Sequence, residues 1–292
     1  MELIQLGEKT YYIKNPTNIG VYKIDENNVY LIDSGNDKDA GKKILKIMDA
    51  QGWNVKGIIS THSNADHIGG NKLIQDRTGC PVYAFGMEKF FTEYPIMEPS
   101  FLFSGLPIKD LRNKFLLAKE SVVTDINHNL PEGLEYFSLK GHFFDMIGIK
   151  TDDEVYFLAD SLVSEETIKK YHLFFLYDVK EYFKTLDFLS DLNGKMYIAS
   201  HCEATDNIVP IINANRDKVK EIYDTIYSLC ENEIIFEDIL QKIFDVYGLT
   251  MNINQYVLIG STIKSYLSYL YEEGKISFEF KENKMFWKQN LP

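Results

Sequence analysis

Up to about residue 85, short β-prone runs alternate with helical stretches, the order expected of a sheet covered by helices. Residues 11–13, 20–24 and 29–32 read as strands, with a hairpin turn at 25–28 between the last two. Ile44, Leu45, Ile47 and Met48 share one face of a helix predicted over 38–51, with Gly52 as its stop. An apolar strand, 55–60, follows and runs into the densest polar cluster of the chain. Residues 86–130 break the rhythm with Phe90, Phe91, Tyr94, Phe101, Phe103, Leu116 and three prolines. This stretch reads as an irregular, partly helical aromatic insertion, suited either to covering a site or to packing on a helix or a second subunit. Strand signals return at 134–139, 147–149, 155–158 and 196–199.

The last 80 or so residues carry three amphipathic stripes in succession: Val219, Ile222, Ile226 and Leu229; Phe236, Ile239, Leu240, Ile243 and Phe244; Ile259, Ile263, Tyr266, Leu267 and Leu270. An alternating pair closes the chain, with Ile276, Phe278 and Phe280 on one arm, a turn at 282–284, and Met285 to Trp287 returning. Three helices and a hairpin predict a winged-helix-like domain over 209–292, after a first domain over 1–208. Such a shape often reads DNA. Residues 210–292, however, hold 9 Lys plus Arg against 12 Asp plus Glu, and the third helix offers only Lys264. A helix of that kind lacks the cationic and amide side chains that reach phosphates and base edges. A packing or dimerisation module is the better expectation.

Charge extends this to the whole chain. Its 31 Lys and Arg against 43 Asp and Glu give a formal charge of −12, which repels phosphate backbones and makes nucleic acid a poor partner. The start, MELIQLGEKTYY, has no basic segment followed by an apolar run, and no stretch suits a bilayer span, so a cytoplasmic protein without membrane contact is expected. Cys80, Cys202 and Cys230 are odd in number and widely spaced, and read as free thiols.

The chemistry lies in the loop after the strand at 55–60. Thr61-His62-Ser63-Asn64-Ala65-Asp66-His67-Ile68-Gly69-Gly70 places two histidines and a carboxylate within six residues. Imidazole nitrogen and carboxylate oxygen are the donors that a divalent ion such as zinc prefers, and a loop at a strand's carboxyl end can turn several inward. The segment closely resembles the His-x-His-x-Asp-His hallmark of the metallo-β-lactamase superfamily. Four further motifs resemble that superfamily in the same order: Leu31-Ile32-Asp33-Ser34-Gly35, Lys140-Gly141-His142, Phe157-Leu158-Ala159-Asp160-Ser161 and Ile198-Ala199-Ser200-His201. The likeness spans about residues 1–205 and is strongest to the glyoxalase II-like branch.

That resemblance implies an α/β fold, the αββα sandwich. It implies a first metal position from His62, Asn64 and His142, a second from Asp66, His67 and His201, Asp160 between them, and Asp33 ordering the loop. The cofactor it implies is one or two zinc ions, with iron or manganese as alternatives. The activity it implies is a metal-dependent hydrolase, in which a metal-bound hydroxide attacks a small ester, thioester or related substrate while Asp66 orients the nucleophile or accepts its proton. The chain departs from the hallmark at Asn64, where the family has histidine. A neutral amide oxygen is the poorer zinc donor, so a tight second position and a loose or empty first are expected. Two other outcomes stay open: a mononuclear iron site of the persulfide-dioxygenase kind on His62, His142 and Asp160, and a non-catalytic winged-helix sensor of a metal or metabolite. His128 and His172 lie off the motifs and read as ordinary surface or packing residues. A homodimer is left open.

Overall fold

The computed structural model describes residues 1–127 and 129–290; His128 therefore lies outside the described residues. Strands β1 (Glu2–Gln5), β2 (Thr10–Lys14), β3 (Ile19–Lys23) and β4 (Asn28–Ile32) form an antiparallel meander. Helix α1 (Lys38–Gln51) crosses to β5 (Asn54–Ile59), which lies parallel to β4. The short α2 (Ala65–Ile68) and α3 (Asn71–Thr78) lead to β6 (Val82–Ala84). Helices α4 (Met87–Glu93) and α5 (Met97–Phe103) precede β7 (Val123–Asp125), which completes a seven-stranded sheet in chain order. The insertion is thus partly helical as expected, and its end supplies an edge strand that its sequence does not announce.

Strands β8 (Leu134–Ser138), β9 (Ile147–Thr151), β10 (Val155–Val163) and β11 (Met196–His201) form a second sheet in the order β11-β10-β9-β8, with α6 (Glu165–Tyr171) and α7 (Val179–Ser190) between its last two strands. Side chains alternate along the strands and are apolar on both faces. In β4, Val29 and Leu31 join α1 and α3 through Ile44, Met48 and Ile74, while Ile32 faces Ile147, Ile149, Phe157 and Ile198 of the second sheet. Two sheets thus pack face to face, each covered outside by helices, and the fold is the αββα sandwich.

Helices α8 (Val209–Leu229), α9 (Phe236–Val246) and α10 (Ile253–Glu272) follow, with a three-stranded sheet of β12 (Ile234–Ile235), β13 (Ile276–Lys281) and β14 (Lys284–Gln289). Their stripes join one hydrophobic cluster with Leu158 and Tyr197 of the second sheet and with Tyr182 and Leu186 of α7, so apolar packing runs continuously across residue 208. The second half of α10 packs there, through Ile263, Tyr266 and Leu270. Val257 near its start lies with Leu102, Leu111 and Leu116 of the insertion. Among the described residues no helix is long and apolar enough to cross a membrane. All three cysteines are free and buried.

Helix α1 begins where the Asp37 side chain accepts hydrogen bonds from the Asp39 and Ala40 amides, and it ends on Gly52 at φ 72°. The Ala40 amide first, then Lys114 at 3.0 Å and the Asp39 amide, hold the Asp37 carboxyl below its ordinary value of 3.8. A depressed carboxylate stabilises the fold above its unfolded pKa, and the contribution disappears as pH falls through the folded one. Asp37→Ala is therefore expected to cost about 1 kcal/mol at neutral pH. In paired urea titrations the gap between the two proteins should close well below pH 4.

Candidate metal centre

The carboxyl ends of β4, β5, β10 and β11, together with the turn after β8, converge at one edge of the sandwich. Asp33 leaves β4 at φ 65°, a left-handed conformation that aspartate tolerates, and is 2% exposed. Its Oδ1 accepts from the Thr61 amide, and its Oδ2 from the Thr61 hydroxyl and from His67 Nδ1, each at 2.8 Å. Asp33 thus ties the loop after β5 to the end of β4.

Four imidazoles are oriented by the same logic. His67 Nδ1 donates to Asp33, His142 Nδ1 to the Phe175 carbonyl at 2.9 Å, and His201 Nδ1 to the Pro16 carbonyl at 2.8 Å. His62 Nδ1 lies 3.1 Å from the Thr61 hydroxyl, whose own hydrogen goes to Asp33. Every Nδ1 faces an acceptor, which fixes the tautomer and leaves each neutral ring with a lone pair on Nε2.

Those Nε2 atoms meet at Asp160. His67 Nε2 lies 3.1 Å from Asp160 Oδ1; His201 and His142 Nε2 lie 3.2 and 3.6 Å from Oδ2. Asp66 Oδ2 is 3.4 Å from His201 Nε2 and 3.7 Å from His67 Nε2. Donor atoms of His62, His67 and Asp160 form one group within 4.8 Å of one another, and those of Asp66, His67 and His201 a second. A bulge aims Asp160: β10 shifts register against β11 on both sides of Ala159, which sits at φ 49°. His142 depends on Gly141, at φ 125°, where a Cβ would fall 2.5 Å from the Tyr182 Cα.

The donor set fits a divalent cation. His62 Nε2, His67 Nε2 and Asp160 Oδ1 are buried without a hydrogen-bond partner, an arrangement that costs free energy unless something positive engages them. Protons compete with a cation for two of these rings. Burial opposes the charged form of His67 and His201, yet Asp160 and Asp66 outweigh it and hold both well above the ordinary 6.5. Burial likewise opposes ionisation of Asp160 and Asp66, and the same histidines hold both below the ordinary 3.8. His62 and His142 are held below 6.5, first by burial.

The structure brings together every residue singled out for this site: Asp33, His62, Asn64, Asp66, His67, His142, Asp160 and His201. Cys202 stays outside, its Sγ 3.7 Å from the Leu162 carbonyl, and His172 stacks on Tyr247. Two further residues belong here that no sequence motif announces. Glu88 on α4, fully buried, accepts from the Ser63 amide and hydroxyl and from the Asp145 amide, clamping the His62 loop to the turn that follows His142. Burial pushes its carboxyl up to about 7. Glu98 on α5, 5% exposed, accepts from Asn64 Nδ2 at 2.8 Å. The aromatic insertion divides: Phe91 and Phe101 pack on Phe144 beside the histidines, whereas Phe90 and Tyr94 face solvent.

Comparison with known proteins agrees with this geometry. The family model described as Metallo-beta-lactamase superfamily matches residues 13–201. A hydroxyacylglutathione hydrolase from Rhodopseudomonas palustris is 30% identical over 122 residues, covering 41% of this chain and 39% of that protein. One from Methylococcus capsulatus is 33% identical over 66 residues, 20% of this chain and 26% of that protein. The matches thus span well under half the length of these curated relatives. A beta-lactamase domain protein from Burkholderia ambifaria superposes with TM-score 0.76 at 15% identity, over 99% of this chain and 94% of the other. A metallo-beta-lactamase family protein from Thermus thermophilus does so with TM-score 0.69 at 16% identity, over 99% and 98%. At such identities the likeness is one of fold.

Proposed function

The chain belongs to the metallo-beta-lactamase superfamily, and on that premise we propose that it is a metal-dependent hydrolase acting on a small ester or thioester, with zinc as its metal. The observation that carries this reading is the convergence of four imidazole Nε2 atoms on Asp160 with Asp66 beside them. We assign His62, His142 and Asn64 to a first position, Asp66, His67 and His201 to a second, and Asp160 to both. A bound divalent cation supplies Lewis acidity toward water and an acyl oxygen.

The protein's own groups set the rest. His62 and His67 are fully buried, whereas Asp66 and His201 are 31% and 29% exposed, so substrate approaches from the Asp66 side. Asp66 Oδ2 accepts from Thr17 Oγ1 at 3.0 Å, which leaves Oδ1 to orient water or take its proton. Phe143 packs beside His62 and Phe175 beside His142, giving both rings an apolar neighbour.

The ester or thioester assignment draws on the relatives named hydroxyacylglutathione hydrolase. Residues 209–292 we read as a winged-helix-like packing domain, with a homodimer to be tested by sedimentation. Thr262 and Ser265 of α10 accept from the Leu176 and Val179 amides, which supports packing over DNA reading for that helix. The test is turnover of a chromogenic ester and thioester panel before and after chelation. Hydrolysis that stops on chelation and returns with Zn2+ is expected. Hydrolysis indifferent to chelation contradicts the proposal, and oxygen uptake with a persulfide in its place moves the assignment to the iron oxygenase.

A further inference from the structure

Asn64 occupies the position where the superfamily hallmark has histidine, and its amide is held by a residue on another element. Its amide sits between two groups: Nδ2 donates to Glu98 Oε1 at 2.8 Å, and Oδ1 lies 3.0 Å from His142 Nε2. A carboxylate only accepts, so Glu98 selects the amide rotamer that turns Oδ1 toward His142. His142 already donates Nδ1–H to the Phe175 carbonyl, so its neutral ring also presents a lone pair toward Oδ1. With the ring's hydrogen on Nδ1, Nε2 and Oδ1 both present lone pairs at this 3.0 Å contact, and a cation touching both would satisfy them.

We propose that Glu98, through its hydrogen bond to Asn64 Nδ2, converts the Asn64 amide into a competent oxygen donor for a divalent cation at the first position, alongside His62, His142 and Asp160. The inference rests on the metal-centre reading given above. Glu98 meets the site through Asn64 Nδ2, so it acts through Asn64 and is a positioning residue. Its carboxylate fixes which amide atom faces the cation and draws positive charge onto the NH2 group, which leaves more negative charge on Oδ1. The pair does for an amide what a carboxylate partner does for a metal-binding imidazole.

The placement is built rather than incidental. Glu98 is 5% exposed on α5, and its Oε1 meets Asn64 Nδ2 at 2.8 Å. Glu88 on α4 clamps the adjacent Ser63, so two neighbouring helices of the insertion each insert one acid into the same loop.

Zn2+ affinity at each position, measured by competition with a chromophoric chelator and checked by the visible absorption of Co2+-loaded protein, tests the proposal. Glu98→Gln is expected to weaken the first position roughly 10–100-fold and to leave the second unchanged. The exchange variant Asn64→Asp with Glu98→Gln reverses the carboxylate–amide pair and places the charge on the donor itself; it should recover wild-type affinity to within about threefold. A purely structural Glu98 would lower the melting temperature in both variants without this loss and recovery. Two tightly bound ions in Glu98→Gln, a wild type that takes up one ion alone, or a folded exchange variant without recovery would each overturn the inference. A wild type that binds no ion would overturn the metal-centre reading instead.

Discussion

Asp160→Asn is expected to lower kcat/KM for any hydrolysed substrate by roughly a thousandfold, about 4 kcal/mol of barrier, and to weaken cation binding at both positions. The side chain keeps its size, so packing at the bulge of β10 survives. What goes is the charge on which the imidazoles converge, with His67 at 3.1 Å, His201 at 3.2 Å and His142 at 3.6 Å. An amide presents one acceptor oxygen and one NH2 group, and the NH2 group would point at a ring nitrogen that needs its lone pair for a cation. Steady-state kinetics in excess Zn2+, with metal content measured on the same samples, checks this. A variant that keeps a tenth of the activity and its full metal complement would remove Asp160 from the shared role.

Asp33→Asn should have the next largest effect, by another route. Asp33 touches no substrate; its Oδ2 accepts from both the Thr61 hydroxyl and His67 Nδ1. An NH2 group there faces two donors. The fold is expected to lose about 2–3 kcal/mol through a buried unsatisfied pair. His67 should then shift toward the tautomer with its proton on Nε2, which removes the lone pair aimed at Asp160, and the second position should weaken roughly 10–100-fold. Nitrogen-15 shifts of the histidine rings report the tautomer directly. An unchanged His67 signal alongside unchanged metal affinity would mean that the Asp33 contact only closes a turn.

The sequence announces residues whose chemistry is expressed within a short motif. His62, Asp66 and His67 share one loop, and His142, Asp160 and His201 each end a strand-like run. The helix at Lys38–Gln51 is legible from one apolar stripe and its Gly52 stop, because both signals are local. Glu88 and Glu98 are not legible, since a single acid in a polar–apolar helix reads as a solvated face. Their partners Ser63 and Asn64 are 25 and 34 residues away, so only the tertiary fold brings them together. The same limit applies to the C-terminal stripes, which announce buried faces without saying what they bury against. The answer, the second sheet and α7, lies in packing between distant segments. Nor does composition separate Phe91 and Phe101, which pack beside the histidines, from Phe90 and Tyr94, which do not. Asn64 is the instructive case: read alone it predicts a weak metal position, and read with Glu98 it predicts a functional one.

The most direct measurement is the zinc stoichiometry of wild-type protein stripped by chelator, reloaded and dialysed, with His67→Ala beside it. The account predicts about two ions per wild-type chain and a clear loss in the variant. A wild type that emerges from dialysis without zinc, indistinguishable from His67→Ala, would contradict it.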